Sequence, residues 1–254
     1  MVLTKRHLVI GCVIALVLVS ALVGILTAER GVAVSAATRE LPIYCVESEA
    51  KQVALTFDAA WGAEDTQVLI DELAKYGAKA TFFVVGEWVD KYPDAVRSLH
   101  EAGHSVMNHS DTHPHMTQLG VDGILQEANR ASDKIEKITG IRPDLLRVPY
   151  GDYNDTVIKT LRTDGYQVIQ WDVDSLDWKD LSANEICRRV TDKVKPGSIV
   201  LFHNAAKHTP EALPMILADL KEKGYEFVTV GDLILRENYY IDHTGKQISS
   251  SGDN

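Results

Sequence analysis

The stretch "QVALTFDAAWGAEDTQVLIDELAKYGAKATFFVV", residues 52–85, sets the reading of the chain. "QVALTF" and "ATFFVV" are short apolar runs rich in β-branched and aromatic residues. "EDTQVLIDELAKYG" between them has helical length and spacing and ends in glycine. Strand, helix, strand in so short a span is the unit of a parallel sheet, because parallel neighbours need a crossover.

The alternation continues outward. "HSVMN", "LLRVP", "YQVIQWDV", "SIVLF" and "YEFVTV" are further strand-like runs, and amphipathic segments such as "VDGILQEANRASDKIEKITG" and "TPEALPMILADLKEKG" separate them. Several of these segments open on Asp, Asn, Ser or Thr and close on Gly, the usual helix punctuation. About seven β/α units in roughly 190 residues predict an α/β fold, a parallel barrel first and a doubly wound sheet second. The domain is expected over residues 51–236, with residues 237–254, ending "SSSGDN", as a frayed tail.

The N-terminus is of another kind. Residues 1–7 carry Lys5 and Arg6, and Leu8 to Leu26 runs about 19 residues without a charge, long enough to cross a bilayer as a helix. Residues 8–28 are therefore read as a single-pass anchor or a signal segment, "AVSAA" at Ala33–Ala37 offering a cleavage site, and residues 29–50 as a stalk. On either reading the basic flank stays in the cytoplasm and the domain is exported, held at the cell membrane or secreted. Of 26 Lys and Arg, Lys5 and Arg6 precede the apolar run, so 24 bases face all 36 acids beyond it. That balance disfavours nucleic acid and suits a neutral substrate. Cys12, Cys45 and Cys187 match no zinc spacing; a Cys45–Cys187 disulfide and two free thiols are both open.

Polar residues follow the ends of the apolar runs: Asp58, then His109 and His113, then Arg147, then Asp174 and Asp177, then His203. In a parallel barrel those ends share the face that carries active sites. Singly, each has a plainer explanation as a helix cap or a satisfied structural histidine. "NHSDTHPHM" places His109 and His113 four apart, spaced to hold one ion from a helical turn or tight loop, with His115 as a spare ligand. A metal-bound water, a carboxylate and a separate histidine together suit acyl hydrolysis. Asp58 and His203 are expected on opposite arms of the barrel, bracketing the substrate.

With these residues assembled, Val53 to Leu235 resembles the polysaccharide deacetylases of carbohydrate esterase family four, the NodB-homology domain. The resemblance rests on "TFDAAWG", "HSDTH", "RVPYG", "DSLDW" and "LFH", in that order. It implies a distorted (β/α) barrel and a divalent metal, zinc or cobalt, on His109 and His113. It further implies Asp58 as base, oriented by Arg147, and His203 as general acid, tuned by Asp177. The backbone N–H of Tyr150 would help hold the oxyanion, with Trp178 and Trp61 at the substrate groove and Leu201 in the acetyl pocket. The implied partner is cell-wall glycan, peptidoglycan or chitin-like, and the likeness is greatest to sporulation-associated deacetylases of Gram-positive spore formers.

One position departs from the family. The second Asp of the first motif, a metal ligand, aligns with Ala59. Three outcomes follow: a two-histidine site completed by water, a replacement ligand in His115 or Asp58, or no metal and little activity. The functional expectation is a metal-dependent hydrolase removing acetyl groups from N-acetylated wall polysaccharide. The alternatives are an impaired domain that binds wall glycan in sporulation or envelope assembly, and a hydrolase of another acyl amide or ester.

Overall fold

The computed structural model describes residues 14–19 and 39–250. The chain divides into two compact units, Met1–Arg39 and Glu40–Asn254. In the first, residues 14–19 are helical and their apolar side chains are exposed. Among the described residues no helix is long and apolar enough to cross a membrane. Most of the expected anchor, residues 8–28, lies outside the described residues.

The second unit is built on one curled sheet. Its strands are β1 (Cys45–Val46), β2 (Gln52–Ala59), β3 (Thr81–Val84), β4 (Ser105–Asn108), β5 (Leu145–Leu146), β6 (Gln167–Val168), β7 (Val173–Asp174), β8 (Ser198–His203), β9 (Glu226–Val228), β10 (Tyr239–Ile241) and β11 (Lys246–Ser249). The parallel core runs β7–β8–β2–β3–β4–β5–β6, and β9 lies beside the start of β2.

Seven apolar runs yield eight parallel strands because "YQVIQWDV" breaks at Gln170–Asp172 into β6 and β7. Among the described residues β6 and β7 do not pair, so the sheet is curled but open there. Residues 43–46 span the gap: Ile43 bridges Ile169, and Cys45 pairs antiparallel with Ser198.

Side chains alternate across a strand, and β2 shows what each face meets. Val53, Leu55, Phe57 and Ala59 join the large apolar layer that includes Leu69, Leu73, Leu213 and Leu217 of the covering helices Thr66–Lys75 and Thr209–Glu222. Ala54 packs instead with Phe83, Leu145 and Ile199 from neighbouring strands, so its face is the concave interior. Thr56 and Asp58 share that interior face by the same period. Some helix starts carry the expected side-chain caps. Asn154 accepts from Val157 N–H, and Ser182 forms a capping box with Glu185.

Both expected flanks are corrected. Residues 40–50 are not a stalk: Ile43 is fully buried, and Arg162 binds Glu40 Oε2 at 2.7 Å. Residues 239–249 are not a frayed tail. They form the β10–β11 hairpin, with β11 parallel to β1, and buried Gln247 bonds both the N–H and C=O of Leu235. A hairpin that is polar on one face carries little apolar signal, yet its backbone groups still find partners in the sheet. Cys45 and Cys187 are free thiols.

Candidate active site

The concave face ends in one cavity of about 450 Å³ at the C-terminal ends of the strands. Asp58 and His203 both line it, and they are register partners on adjacent strands β2 and β8. The expectation of opposite arms is therefore corrected. The sheet places the late strand β8 directly beside the early strand β2, so separation along the chain says nothing about distance.

Asp58 is buried, with Oδ1 accepting from Arg147 Nη1 at 2.7 Å. Arg147 is wholly enclosed. It also donates to Thr56 Oγ1 and Gln170 O, and its guanidinium lies 4.3 Å from the Phe83 ring centroid. Burial pushes the Asp58 carboxyl up, but the Arg147 charge, then His109 and His203, and the Arg147 hydrogen bond outweigh it, holding the group below the usual carboxylate range. The paired state thus stabilises the fold above pH about 4 and loses that contribution as pH falls through the depressed native pKa. Arg147→Met leaves a buried, uncompensated carboxylate. Urea unfolding near neutral pH is expected to show a loss of about 3–5 kcal/mol, and a loss under 1 kcal/mol would refute the pairing.

His203 is held from behind. Its Nδ1 lies 2.8 Å from Asp177 Oδ1, while Asp177 Oδ2 accepts His203 N–H at 2.9 Å and Thr209 Oγ1–H at 2.7 Å. With Nδ1–H given to Asp177, Nε2 is the atom left for the cavity. Burial works against the imidazolium, but the Asp177 hydrogen bond and charge, with Asp58 and Asp174 beyond, raise its pKa above the ordinary value.

The histidine pair comes from a tight loop, not a helical turn. Ser110 and His113 both take left-handed φ, 68° and 59°, a conformation that persists only when surroundings impose it. Asn108 Oδ1 accepts Ser110 N–H, Ser110 Oγ accepts His113 N–H, and Glu127 Oε2 accepts from Asp111 and Thr112 N–H. His109 Nδ1 donates to Arg147 O at 2.8 Å, which turns Nε2 inward, 3.2 Å from His113 Nε2 and 3.5 Å from Asp58 Oδ2. Burial lowers the pKa of both rings, that of His113 to about 4, so both are neutral near pH 7.

Two neutral nitrogens converge as metal ligands do. The third donor does not. Ala59 is buried in the outer apolar layer, and Asp58 is committed through Oδ1 to Arg147, with only Oδ2 facing the histidines, 3.5 Å from His109 Nε2. The spare, His115, gives Nδ1 to Asp152 at 3.0 Å and stacks on Tyr150 with centroids 4.2 Å apart. Among the described residues no group of three or more His, Cys, Asp or Glu is placed so that it could hold a metal ion. This donor set does not fit the three-ligand centre that the resemblance implies.

The walls are aromatic. Trp61 and Trp178 are each 57% exposed, Tyr150 stands at the mouth with φ 61°, and Leu201 lies on the floor. Three further residues escape a reading of the sequence. Trp171 lines the cavity, and Gln170 lies beneath Gly151 with Nε2 unpartnered. Asn204 binds the loop that carries Trp61. Trp171 and Gln170 sat inside an apparently continuous apolar run. Asn204 directly follows "LFH", which is the one signal that could have flagged it.

The family profile described as Polysaccharide deacetylase matches residues 46–169. Peptidoglycan-N-acetylmuramic acid deacetylase PdaC of Bacillus subtilis (strain 168) is 39% identical over 188 residues, 74% of this chain and 40% of its own length. The chain thus spans only two-fifths of that relative. Among solved structures, the Bc1960 peptidoglycan N-acetylglucosamine deacetylase matches with a TM-score of 0.73 at 30% identity, over 76% of this chain and 92% of that one. A CE4 family pseudoenzyme from Bacillus anthracis matches with a TM-score of 0.73 at 35% identity, over 76% and 68% of the two chains, and a mutant of that pseudoenzyme has restored enzymatic activity. The chain belongs to the polysaccharide deacetylase family.

Proposed function

We propose that the protein hydrolyses acetamido groups on cell-wall polysaccharide of the peptidoglycan or chitin-like kind. One observation carries this reading: a carboxylate held ionised by Arg147 and an imidazole whose pKa is raised by Asp177 face one cavity from paired positions. A binding module gains nothing from keeping both buried counter-charges. Asp58 takes a proton from water as the oxygen attacks the acetyl carbonyl. The backbone N–H of Tyr150 is the donor assigned to the developing oxyanion, and Leu201 receives the methyl group. His203 then gives its proton to the leaving nitrogen as the C–N bond breaks, releasing acetate and a free amine.

The expected metal is a separate matter. His109 and His113 alone offer two neutral donors, so zinc or cobalt is expected to be weakly held and easily stripped. The domain is assigned to the outer side of the cell membrane, tethered by residues 8–28 or released after cleavage; the basic flank and apolar run support this.

Ala59 favours a second reading, a wall-glycan binder with little turnover. The deciding experiment measures acetate release from peptidoglycan and N-acetylglucosamine oligomers by the full chain, Asp58→Asn and His203→Ala. Release by the parent alone supports the deacetylase. Glycan binding by all three with no release would replace it with the binder.

A further inference from the structure

A separate depression of about 300 Å³ opens around the start of β4, whereas the catalytic cavity lies where the strands end. His104 to Met107 line one side of it, and Thr139 and Ile141, at the end of the helix Val121–Thr139, line the other. His104 is 5% exposed. Its Nδ1 accepts Ala80 N–H at 3.2 Å, and its ring meets Phe82 edge-on with centroids 5.5 Å apart. Burial and the Lys79 charge hold its pKa down at about 4, so the ring is neutral near pH 7. With Nδ1 accepting, the one proton sits on Nε2. Among the described residues nothing accepts it.

A backbone donor lies beside this ring. Ser105 N–H goes to Ala80 O, on the β3 side. Peptide groups point alternately to the two edges of a strand, so those of Val106 face the opposite edge of β4. There β5 pairs with β4 only at Asn108, two residues further on, and Val106 N–H has no ladder partner among the described residues. Val106 is itself buried and lines the depression.

Charge sets the depression apart from the rest of an acidic chain. Among the described residues no Asp or Glu lines it, whereas Asp58 and Asp174 line the catalytic cavity. A cation stands at its rim: Lys79 Nζ donates to Ala102 O at 2.6 Å and lies 2.9 Å from where a Cβ on Gly103, a lining residue, would be.

We infer that this depression binds a small carboxylate with a short apolar tail, its oxygens accepting from His104 Nε2–H and Val106 N–H and its tail lying against Met107 and Ile141. Two unpartnered donors call for an acceptor, and Lys79 with no acid in the lining favours an ionised one. The depression shares no lining residue with the catalytic cavity, and the inference does not depend on the deacetylase reading.

The test is a titration of the isotopically labelled full chain with sodium butyrate, sodium acetate and butyramide, followed by nuclear magnetic resonance at the His104 ring and the Val106 amide. Butyrate is expected to shift both signals along one saturable curve, with butyramide at least about tenfold weaker, because hydrogen bonds to an ionised acceptor are the stronger kind. His104→Asn keeps an amide oxygen where Nδ1 accepts from Ala80 N–H and removes the Nε2 donor. It is expected to weaken butyrate at least about tenfold. Ile141→Ser, at an exposed position that leaves both donors in place, is expected to weaken butyrate severalfold and leave acetate unchanged. The absence of a saturable shift at the parent His104 ring by about 50 mM butyrate would overturn the inference. So would equal affinity for butyramide, or butyrate binding undiminished in both variants. Butyrate that moves only His203 would overturn it as well, by placing the carboxylate in the catalytic cavity. Acetate release is not read, so the deacetylase reading stands or falls separately.

Discussion

Asp177→Asn is expected to lower kcat/KM for acetate release roughly a thousand- to ten-thousandfold and to shift its alkaline limb to lower pH. Asp177 Oδ2 already accepts two donors, His203 N–H and Thr209 Oγ1–H. The oxygen of an introduced amide stays with them, so its NH2 group faces His203 Nδ1. The neutral ring must then accept at Nδ1 and carry its proton at Nε2, a far weaker acid than imidazolium. The two largest causes that raise the His203 pKa, the Asp177 hydrogen bond and charge, disappear together, leaving only the weaker pull of Asp58 and Asp174 against burial, which lowers it.

In the parent the imidazolium persists above the ordinary histidine value of about 6.5, so activity falls only as pH passes the raised pKa. In the variant that fall comes earlier. The stability that protonated His203 adds, present below the unfolded-state pKa and lost as pH rises through the native one, vanishes as well. A pH–rate profile with its alkaline limb unmoved would show that Asp177 does not set the His203 proton.

Much of this site is legible in the sequence because strand ends are where a parallel α/β sheet gathers polar side chains. Asp58, His109, Arg147 and His203 each follow a run whose apolar pattern is unambiguous, and the curled sheet brings all four to one face. What the pattern does not carry is strand order. That β2 lies beside β8, and Asp58 beside His203, is set by the order of strands in the sheet, which no local spacing encodes.

The break between β6 and β7 is hidden for a similar reason. Gln170, Trp171 and Asp172 sit in a run that reads as one strand, yet Asp172 leaves it to bond Ser198 Oγ and Ile199 N–H on β8. The hairpin at residues 239–249 is missed because backbone pairing, and not an apolar face, holds most of it. The role of Asn204 is legible only in space, since it acts on residues some 140 positions earlier in the chain.

Ala59→Asp is expected to raise zinc or cobalt affinity about a hundredfold or more, since outer-shell changes alone alter such affinities by 10–100-fold, and to raise acetate release with it. The structure adds a condition that sequence does not. Position 59 is 1% exposed and its methyl lies in the apolar layer with Val84, Val85 and Trp88. A carboxylate placed there has two options. It can turn toward the converging Nε2 atoms of His109 and His113, where an ion would complete a set of two nitrogens and an anion. Without an ion it sits buried and uncompensated, at a cost of several kcal/mol.

The variant is therefore expected to melt below the parent in chelator and to recover with micromolar zinc, whereas the parent melts at nearly the same temperature in both. Thermal unfolding with and without metal reads this independently of activity. A variant that gains metal-dependent stability and turnover together would mean that the parent site differs from a working metal centre by one side chain. Stability that does not respond to metal would mean that the loop bearing position 59 no longer lets an acid reach the histidines, and that Ala59 is only the visible part of a larger change in the site.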